Sequence, residues 1–379
     1  MRPDTVLLVL PSLTGLGGGI ELYLRQFLDA AAEANPDLRY IAVLGREPRL
    51  ARPHLLSQKL RARLTVSGAS DEGRLRRIGS FMARVTLAAA MHRPRLIVCG
   101  HVNYSTLCYL LARATGARVL TLTYGYEAWD IAGSIGARAL RASDRVVAIS
   151  RFTADELTRS ANVDESRIEI VNNCVDVTRF TPGTARQSVE AKLADLPKPR
   201  LLTVCRLDAK ERYKGVDTVL RTLARNPSLA ASYLIVGDGT DRGRLEALAR
   251  ELRVCARFYG RAADDELLDL YRACDLFVMP SRKEGFGYVF IEAMAAGLPV
   301  VAGNMDGSVD ALAGGALGVL VDPTNEAELA DAIRLQLTGR TPPIMRDPEA
   351  LHREVGRLFG ARPFGERVAA VLSRSLAGT

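Results

Sequence analysis

Short apolar runs bounded by turn residues recur along this chain, and amphipathic stretches fall between them. In the first half, residues 6–10, 40–44, 96–99, 119–123 and 146–149 read as buried strands. Residues 20–32 carry apolar positions at helical spacing, and further helical patterns separate several of the strands. The second half restarts at 200–205 and continues with 234–236, 256–259, 276–279, 300–302 and 319–321, again with helices between. A repeated strand–helix pattern predicts a parallel sheet covered on both faces. Two such series predict an α/β chain of two doubly wound domains, residues 1–180 and 200–358. The Pro- and Gly-containing stretches at 180–184 and 196–199 interrupt the pattern, so 181–199 is expected to be a linker. Val368, Val371 and Leu372 fall at helical spacing in the tail, so 359–379 is expected to close the chain as a helix.

Composition fits this picture. A chain of 379 residues is long enough for about two domains, at roughly 100–200 residues each. The 48% hydrophobic content supports a core in each. No apolar run approaches the ~20 residues of a membrane span. The opening Met-Arg-Pro-Asp-Thr-Val-Leu-Leu-Val-Leu-Pro reads as a first strand rather than a secretory signal. Six cysteines (Cys99, Cys108, Cys174, Cys205, Cys255 and Cys274) are scattered without a Cys-x-x-Cys pair. That argues against a zinc site or disulfide scaffold and for a cytoplasmic protein.

Net charge is +8, and it is uneven: between Arg49 and Arg95, eleven Lys or Arg face two acids, Asp71 and Glu72. A solvated face, an anionic membrane surface and a nucleic acid all accept such a region. Residues 74–85 mix basic and apolar side chains at helical spacing, as an interfacial helix does. No aromatic stacking platform is interleaved with the charges and no nucleic-acid motif is present, so a membrane surface is expected over nucleic acid.

The chemistry-bearing residues concentrate in the second half. Leu276–Met279 leads into Ser281-Arg-Lys-Glu284-Gly285-Phe286-Gly287-Tyr288, and Ile291, Met294 and Ala295 then fall at helical spacing. The segment reads as strand, Gly-rich turn and helix, with Glu284 in the turn and Glu292 about two helical turns later. Backbone N–H groups at a helix start favour an anion. Gly285 and Gly287 permit close approach of a ligand to the backbone, and Glu284 can accept hydrogen bonds from hydroxyls. Anion and polyol side by side describe a sugar joined to a phosphate, although strand–turn–helix units with Gly and Glu occur in any parallel α/β protein. Arg206 ends the strand at 200–205, and Lys214-Gly215 precedes a helix at 216–224. At the ligand-bearing end of the sheet the two cations can hold a diphosphate; a surface ion pair with Asp208 or Glu211 is the plainer alternative. Residues 303–311 can line the pocket or cap the next helix. His101 closes the strand at 96–99 and can line an acceptor side or be structural.

Glu284-x7-Glu292, flanked by Gly-Phe-Gly and followed by Ala-Met-Ala-Ala-Gly-Leu-Pro-Val-Val, resembles the donor-site signature of the family 4 retaining glycosyltransferases. That family has the GT-B fold, two doubly wound Rossmann-like domains facing a central cleft. The resemblance spans most of the chain and is strongest from 200 to 323. Arg206-Leu and Lys214-Gly match the family's phosphate clamp, here with a longer spacer. Gly18 and Gly19 match a Gly-Gly-x-Glu turn near the donor. Gly237 stands near the nucleotide, and Tyr259 where the base is held through backbone groups. The resemblance implies that Glu284 grips sugar hydroxyls, that Glu292 grips the ribose, and that Gly285, Phe286, Gly287 and Tyr288 contact the donor. Relatives carry His-Gly-x-Glu where this chain has Tyr124-Gly-Tyr-Glu127. A phenol still supplies a hydrogen bond, and Glu127 is expected to position sugar or acceptor.

The implied reaction moves a hexose from a GDP- or UDP-linked sugar, with mannose from GDP-mannose preferred, to a hydroxyl with retained configuration. The acceptor is expected to be a glycan or a polyprenyl-diphosphate-linked saccharide at the inner face of a bacterial membrane. Neither metal nor cofactor is expected, and the closing helix is expected to return to the first domain. A GT-B epimerase would need acid and base groups around the sugar. A non-catalytic nucleotide-sugar-binding subunit would not need both glutamates and both cations. A dehydrogenase ranks last, because Ile20 occupies the place of the third glycine in a Gly-x-Gly-x-x-Gly turn.

Overall fold

Aliphatic runs of three to six residues build two parallel sheets in this protein, whose computed structural model describes residues 4–15, 18–47, 50, 52–68, 73–129 and 131–377. Leu16 and Gly17 of the glycine turn, and Arg49, Asp71 and Glu72 of the basic region, lie outside the described residues. Two units divide the chain: 1–174 with 362–379, and 175–361.

The first unit contains β1 (Thr5–Leu10), β2 (Arg39–Leu44), β3 (Leu64–Gly68), β4 (Leu96–Cys99), β5 (Arg118–Thr123), β6 (Arg145–Ala148) and β7 (Ile168–Ile170). They form one sheet in the order β3-β2-β1-β4-β5-β6-β7, all parallel. The five central strands are the five expected ones. The edge strands β3 and β7 escape sequence reading because an edge is only half covered: both are largely intermediate in exposure and interleave polar residues.

The second unit contains β8 (Arg200–Val204), β9 (Ser232–Val236), β10 (Ala256–Gly260), β11 (Leu276–Met279), β12 (Val300–Gly303) and β13 (Val319–Val321), in the order β10-β9-β8-β11-β12-β13. All six match expected strands within two residues. The helix Val216–Arg225 lays Val219, Leu220 and Leu223 into a core shared with Tyr233, Ile235 and Val278. Each fully buried side chain of this size contributes about 1.5–3 kcal/mol. Parallel strands put every carboxyl end on one edge, and the order reverses direction between β8 and β11, the place where open α/β sheets bind their ligands. At the end of β9 the Gly237 N–H donates to the Gly260 carbonyl at 2.7 Å. Gly237 has φ 139°, and an added Cβ would stand 1.8 Å from the Cys205 carbonyl oxygen, so only glycine fits.

Residues 181–199 are not a linker. The buried Arg200 guanidinium donates to the carbonyls of Leu193 (3.0 Å), Leu196 (2.8 Å) and Ala273 (3.1 Å) and to the Glu190 carboxylate (2.7 Å). Arg186 donates to Asp269 from its backbone (2.8 Å) and its Nε (2.5 Å). A buried cation needs acceptors around it, and here the segment 187–196 supplies three of four. The boundaries therefore move from 180 and 200 to 174 and 175, and the second unit runs to 361 rather than 358. The closing helix is Ala361–Ala377, and residues 362–379 group with the first unit. There Phe364 lies edge-on to Tyr23 with ring centroids 5.8 Å apart, and Arg374 grips both oxygens of Glu169 at 2.7 and 2.8 Å.

Candidate functional site

Loops following β8, β9, β11 and β12 meet at the carboxyl edge of the second sheet. The loop after β8 runs through Arg206 into a tight helical segment, Ala209–Lys214. Backbone bonds pin it on both sides. The Leu207 N–H donates to the Asp238 carbonyl at 3.0 Å, and the Arg282 N–H to the Tyr213 carbonyl at 3.0 Å. Lys214 therefore arrives against the turn that follows β11. Its Nζ donates to the Glu284 carboxylate and stands 3.8 Å from Glu211. Glu211 in turn pairs with Arg206. The Lys214 and Glu284 side chains are only 14% and 15% exposed. Burial alone would lower the pKa of the Lys214 ammonium, but the adjoining Glu284 carboxylate outweighs it and holds that pKa above the usual lysine range.

The turn after β11 is fixed from below by Asp306, in the loop after β12. One Asp306 oxygen accepts the Glu284 N–H at 2.7 Å and the Ser281 hydroxyl at 2.9 Å, and the other accepts the Ser308 N–H at 2.9 Å. Burial raises the Asp306 pKa, and these hydrogen bonds oppose it. The Gly307 N–H donates to the Glu284 carbonyl at 2.9 Å. A Cβ on Gly307 would stand 2.1 Å from the Gly285 carbonyl oxygen, so the two loops touch backbone to backbone.

The helix Tyr288–Ala295 begins directly after Gly287, which places Glu292 one turn into it rather than two turns from the glutamate in the loop. Its start directs a positive dipole end toward the same turn. Phe286 is fully buried, with its ring edge-on to Phe359 at 5.5 Å. Its expected donor contact is thus limited to the backbone. The Tyr271 hydroxyl donates to Glu292 at 3.0 Å. Burial raises the Glu292 pKa from 4.5 to about 6, against the Tyr271 hydrogen bond and the Arg179 charge. Tyr259 ends β10 and its hydroxyl donates to Glu266 at 3.3 Å.

The second unit therefore brings Arg206, Lys214 and Glu284 into one run of alternating charge. Gly285, Phe286, Gly287, Tyr288 and Glu292 lie on the adjoining turn and helix, and Gly237 and Tyr259 lie at neighbouring strand ends. In the first unit, Gly18 caps the helix Gly19–Ala34 after β1.

Tyr124, after β5, departs from expectation. Its hydroxyl donates to the Gly100 carbonyl at 3.0 Å and its ring lies edge-on to Tyr23 at 5.5 Å. The single phenolic proton is spent inside the first unit, so the structure does not present it as a donor to a sugar. Glu127 accepts the N–H groups of Tyr124 (2.6 Å) and Gly125 (3.1 Å) and serves as the cap of that turn. Burial raises its pKa against those bonds. His101 Nδ1 accepts the Asn103 N–H at 3.2 Å. Burial and the Arg46 charge lower its pKa to about 4, so the ring is neutral.

Sequence reading missed the supporting carboxylates. Glu211 was legible only as a surface partner of Arg206, and Asp306 as one of several polar groups in 303–311. Glu47 left no signal. It is buried and accepts the Ser12 hydroxyl (2.9 Å) and the N–H groups of Leu13 (2.8 Å) and Thr14 (3.0 Å), which fixes the loop after β1.

Comparison with known proteins assigns both halves. The model of "Glycosyltransferase Family 4" matches residues 17–179, and that of "Glycosyl transferases group 1" matches 186–350. The D-inositol 3-phosphate glycosyltransferase of Rhodococcus jostii is 36% identical over 227 residues, covering 57% of this chain and 50% of that protein. Its namesake in Mycolicibacterium smegmatis is 33% identical over 297 residues, covering 72% and 66%. This chain spans about half the length of the first curated relatives it matches. Among solved structures, Anabaena HepE in complex with UDP superposes with a TM-score of 0.77 at 20% identity, over 98% of this chain and 99% of that one. Sucrose-phosphate synthase of Thermosynechococcus elongatus gives 0.78 at 21%, over 99% and 100%. These two likenesses give the fold, GT-B.

The Glu292 carboxyl has a measurable consequence. A carboxyl with a raised folded pKa stabilises most below its unfolded value, and the contribution is lost as pH rises through the folded value. Between about pH 4.5 and 6 the unfolded chain ionises this carboxyl while the folded protein keeps it protonated, so stability falls across the window and is lower by about 2 kcal/mol above it. Urea unfolding of wild type and Glu292→Gln across this window should show wild type losing that amount relative to the variant. Parallel curves would contradict the assignment.

Proposed function

The chain belongs to the family 4 glycosyltransferases, and from that premise we propose that it moves a hexose from a nucleoside diphosphate sugar to a hydroxyl with retention of anomeric configuration. The observation that carries this reading is the Arg206–Glu211–Lys214–Glu284 charge chain at the ligand-bearing edge of the second sheet. Lys214 and Arg206 take the diphosphate, and their charge offsets the negative charge that builds on the departing nucleotide. The start of the helix Tyr288–Ala295 adds its dipole. Glu284 then accepts hydroxyls of the sugar and Glu292 those of the ribose. Resemblance to the family implies that the acceptor attacks on the face the phosphate leaves, with the departing phosphate helping to accept the proton.

The HepE structures with UDP and with UDP-glucose support a uridine-linked donor. The resemblance that favours GDP-mannose stands beside it. A panel of UDP- and GDP-linked hexoses decides between them, because a ligand of the folded state raises the melting temperature. One member should raise it and, with a glycan acceptor, give a product of retained configuration. Lys214→Ala should lower kcat/KM about 100- to 1000-fold. An inverted product, or no response to any member, would contradict the proposal.

We also infer that the acceptor is presented at an anionic membrane surface. Among the described residues no helix is long and apolar enough to cross a membrane. The helix Arg74–His92 buries Phe81, Val85 and Ala89. Leu75, Ile78 and Met82 form a second row at helical spacing, exposed by 84%, 46% and 48%. Arg74 and Arg76 flank that row, which gives an apolar stripe with cations on either side. Each basic residue near an anionic surface contributes about 1 kcal/mol. Reversing Arg74, Arg76 and Arg77 to Glu should weaken binding to phosphatidylserine vesicles about 100-fold or more and leave binding to neutral vesicles unchanged. Undiminished binding would rule this face out.

A further inference from the structure

Seven residues separate Arg206 from Lys214, and they carry two carboxylates, Asp208 and Glu211. The helical segment Ala209–Lys214 loses its geometry at Glu211, where φ is −114° and ψ 24°. The Glu211 side chain is 10% exposed, whereas Arg206, its partner, is 73% exposed. Its two oxygens are in different situations. Oε1 takes the Arg206 guanidinium. Oε2 is buried and has no hydrogen-bond partner among the described residues, and Lys214 Nζ stands 3.8 Å from it. Lys214 Nζ donates a hydrogen bond to Glu284. An unpartnered carboxylate oxygen is costly to bury, so this group stands where the cations on either side hold it.

We propose that Glu211 is a positioning residue, a built-in counter-anion of the diphosphate clamp. It occupies Arg206 while the site is empty and yields it to the terminal phosphate of a nucleoside diphosphate. This inference rests on the donor reading given above. Exchange of one anion for another keeps Arg206 neutralised in both states, and the Glu211 contact given up offsets part of the attraction of the arriving phosphate. A nucleoside monophosphate lacks the phosphate that competes with Glu211, and its affinity is independent of the exchange.

Calorimetric titration of the full chain with UDP, GDP, UMP and GMP tests this. Glu211→Gln keeps the shape and removes the charge. The diphosphate that binds wild type should bind the variant about two- to fivefold more tightly, the range expected for freeing an exposed arginine from one carboxylate. The corresponding monophosphate should be unaffected. In an Arg206→Gln background the same substitution should leave the ratio of the two affinities unmoved. A role confined to folding would shift both nucleotides together, and an unchanged or reduced diphosphate preference overturns the inference. Should Glu211→Gln fail to fold, Glu211→Asp, with its shorter reach, should raise the ratio by a smaller factor, and a wild-type ratio there overturns it equally. If wild type binds neither diphosphate, the donor reading itself fails. If wild type binds and the ratio is unmoved, only the role of Glu211 falls.

Discussion

Lys214 and Glu284 come from loops that are seventy residues apart in sequence. Each is held with little exposure, and either charge alone would be expensive there. The pair is therefore a constraint on the whole carboxyl edge of the second sheet. It exists only if the loops after β8 and β11 are placed against each other, and backbone bonds do that placing: Arg282 to Tyr213 on one side, Gly307 to Glu284 on the other. Asp306 then fixes the turn from the next loop along. For the donor proposed above, this edge offers charges that are already ordered, so little side-chain entropy remains to be lost on binding.

The two glutamates are electrostatically unlike each other. Glu284 faces an ammonium. Glu292 lies one turn into a helix, with a phenol as its hydrogen-bond donor and a pKa pushed up to about 6. Eight positions of sequence thus separate a carboxylate paired with Lys214 from one hydrogen-bonded to a phenol. The division suits the ligand proposed above, with a charged centre and hydroxyl-bearing rings on either side.

Most of the fold was legible because central strands of a parallel sheet are buried on both faces and read as unbroken apolar runs. The edges β3 and β7 were not, since half-covered strands tolerate residues such as Ser67 and Glu169. The segment 181–199 misled for a related reason. Proline and glycine mark a break in periodicity, but they carry no information about the buried Arg200 that draws the segment into the second unit. At the site, Glu284, Glu292, Arg206 and Lys214 were legible from spacing. What each hydroxyl or carboxylate bonds to was not, because partners come from distant loops. Tyr124 is turned inward by Gly100, Phe286 by Phe359, and Glu211 and Asp306 owe their importance to neighbours 5 to 25 residues away in sequence.

On the function proposed here, the paired glutamates and the lysine–arginine clamp form one binding surface for an activated sugar. Isothermal titration of the preferred nucleotide sugar into wild type and a Glu284→Ala, Glu292→Ala double variant tests it most directly. Loss of hydrogen bonds to two charged groups should weaken binding about 100-fold or more, while the binding of inorganic pyrophosphate to the cations persists. Undiminished affinity of the double variant for the nucleotide sugar would contradict the account.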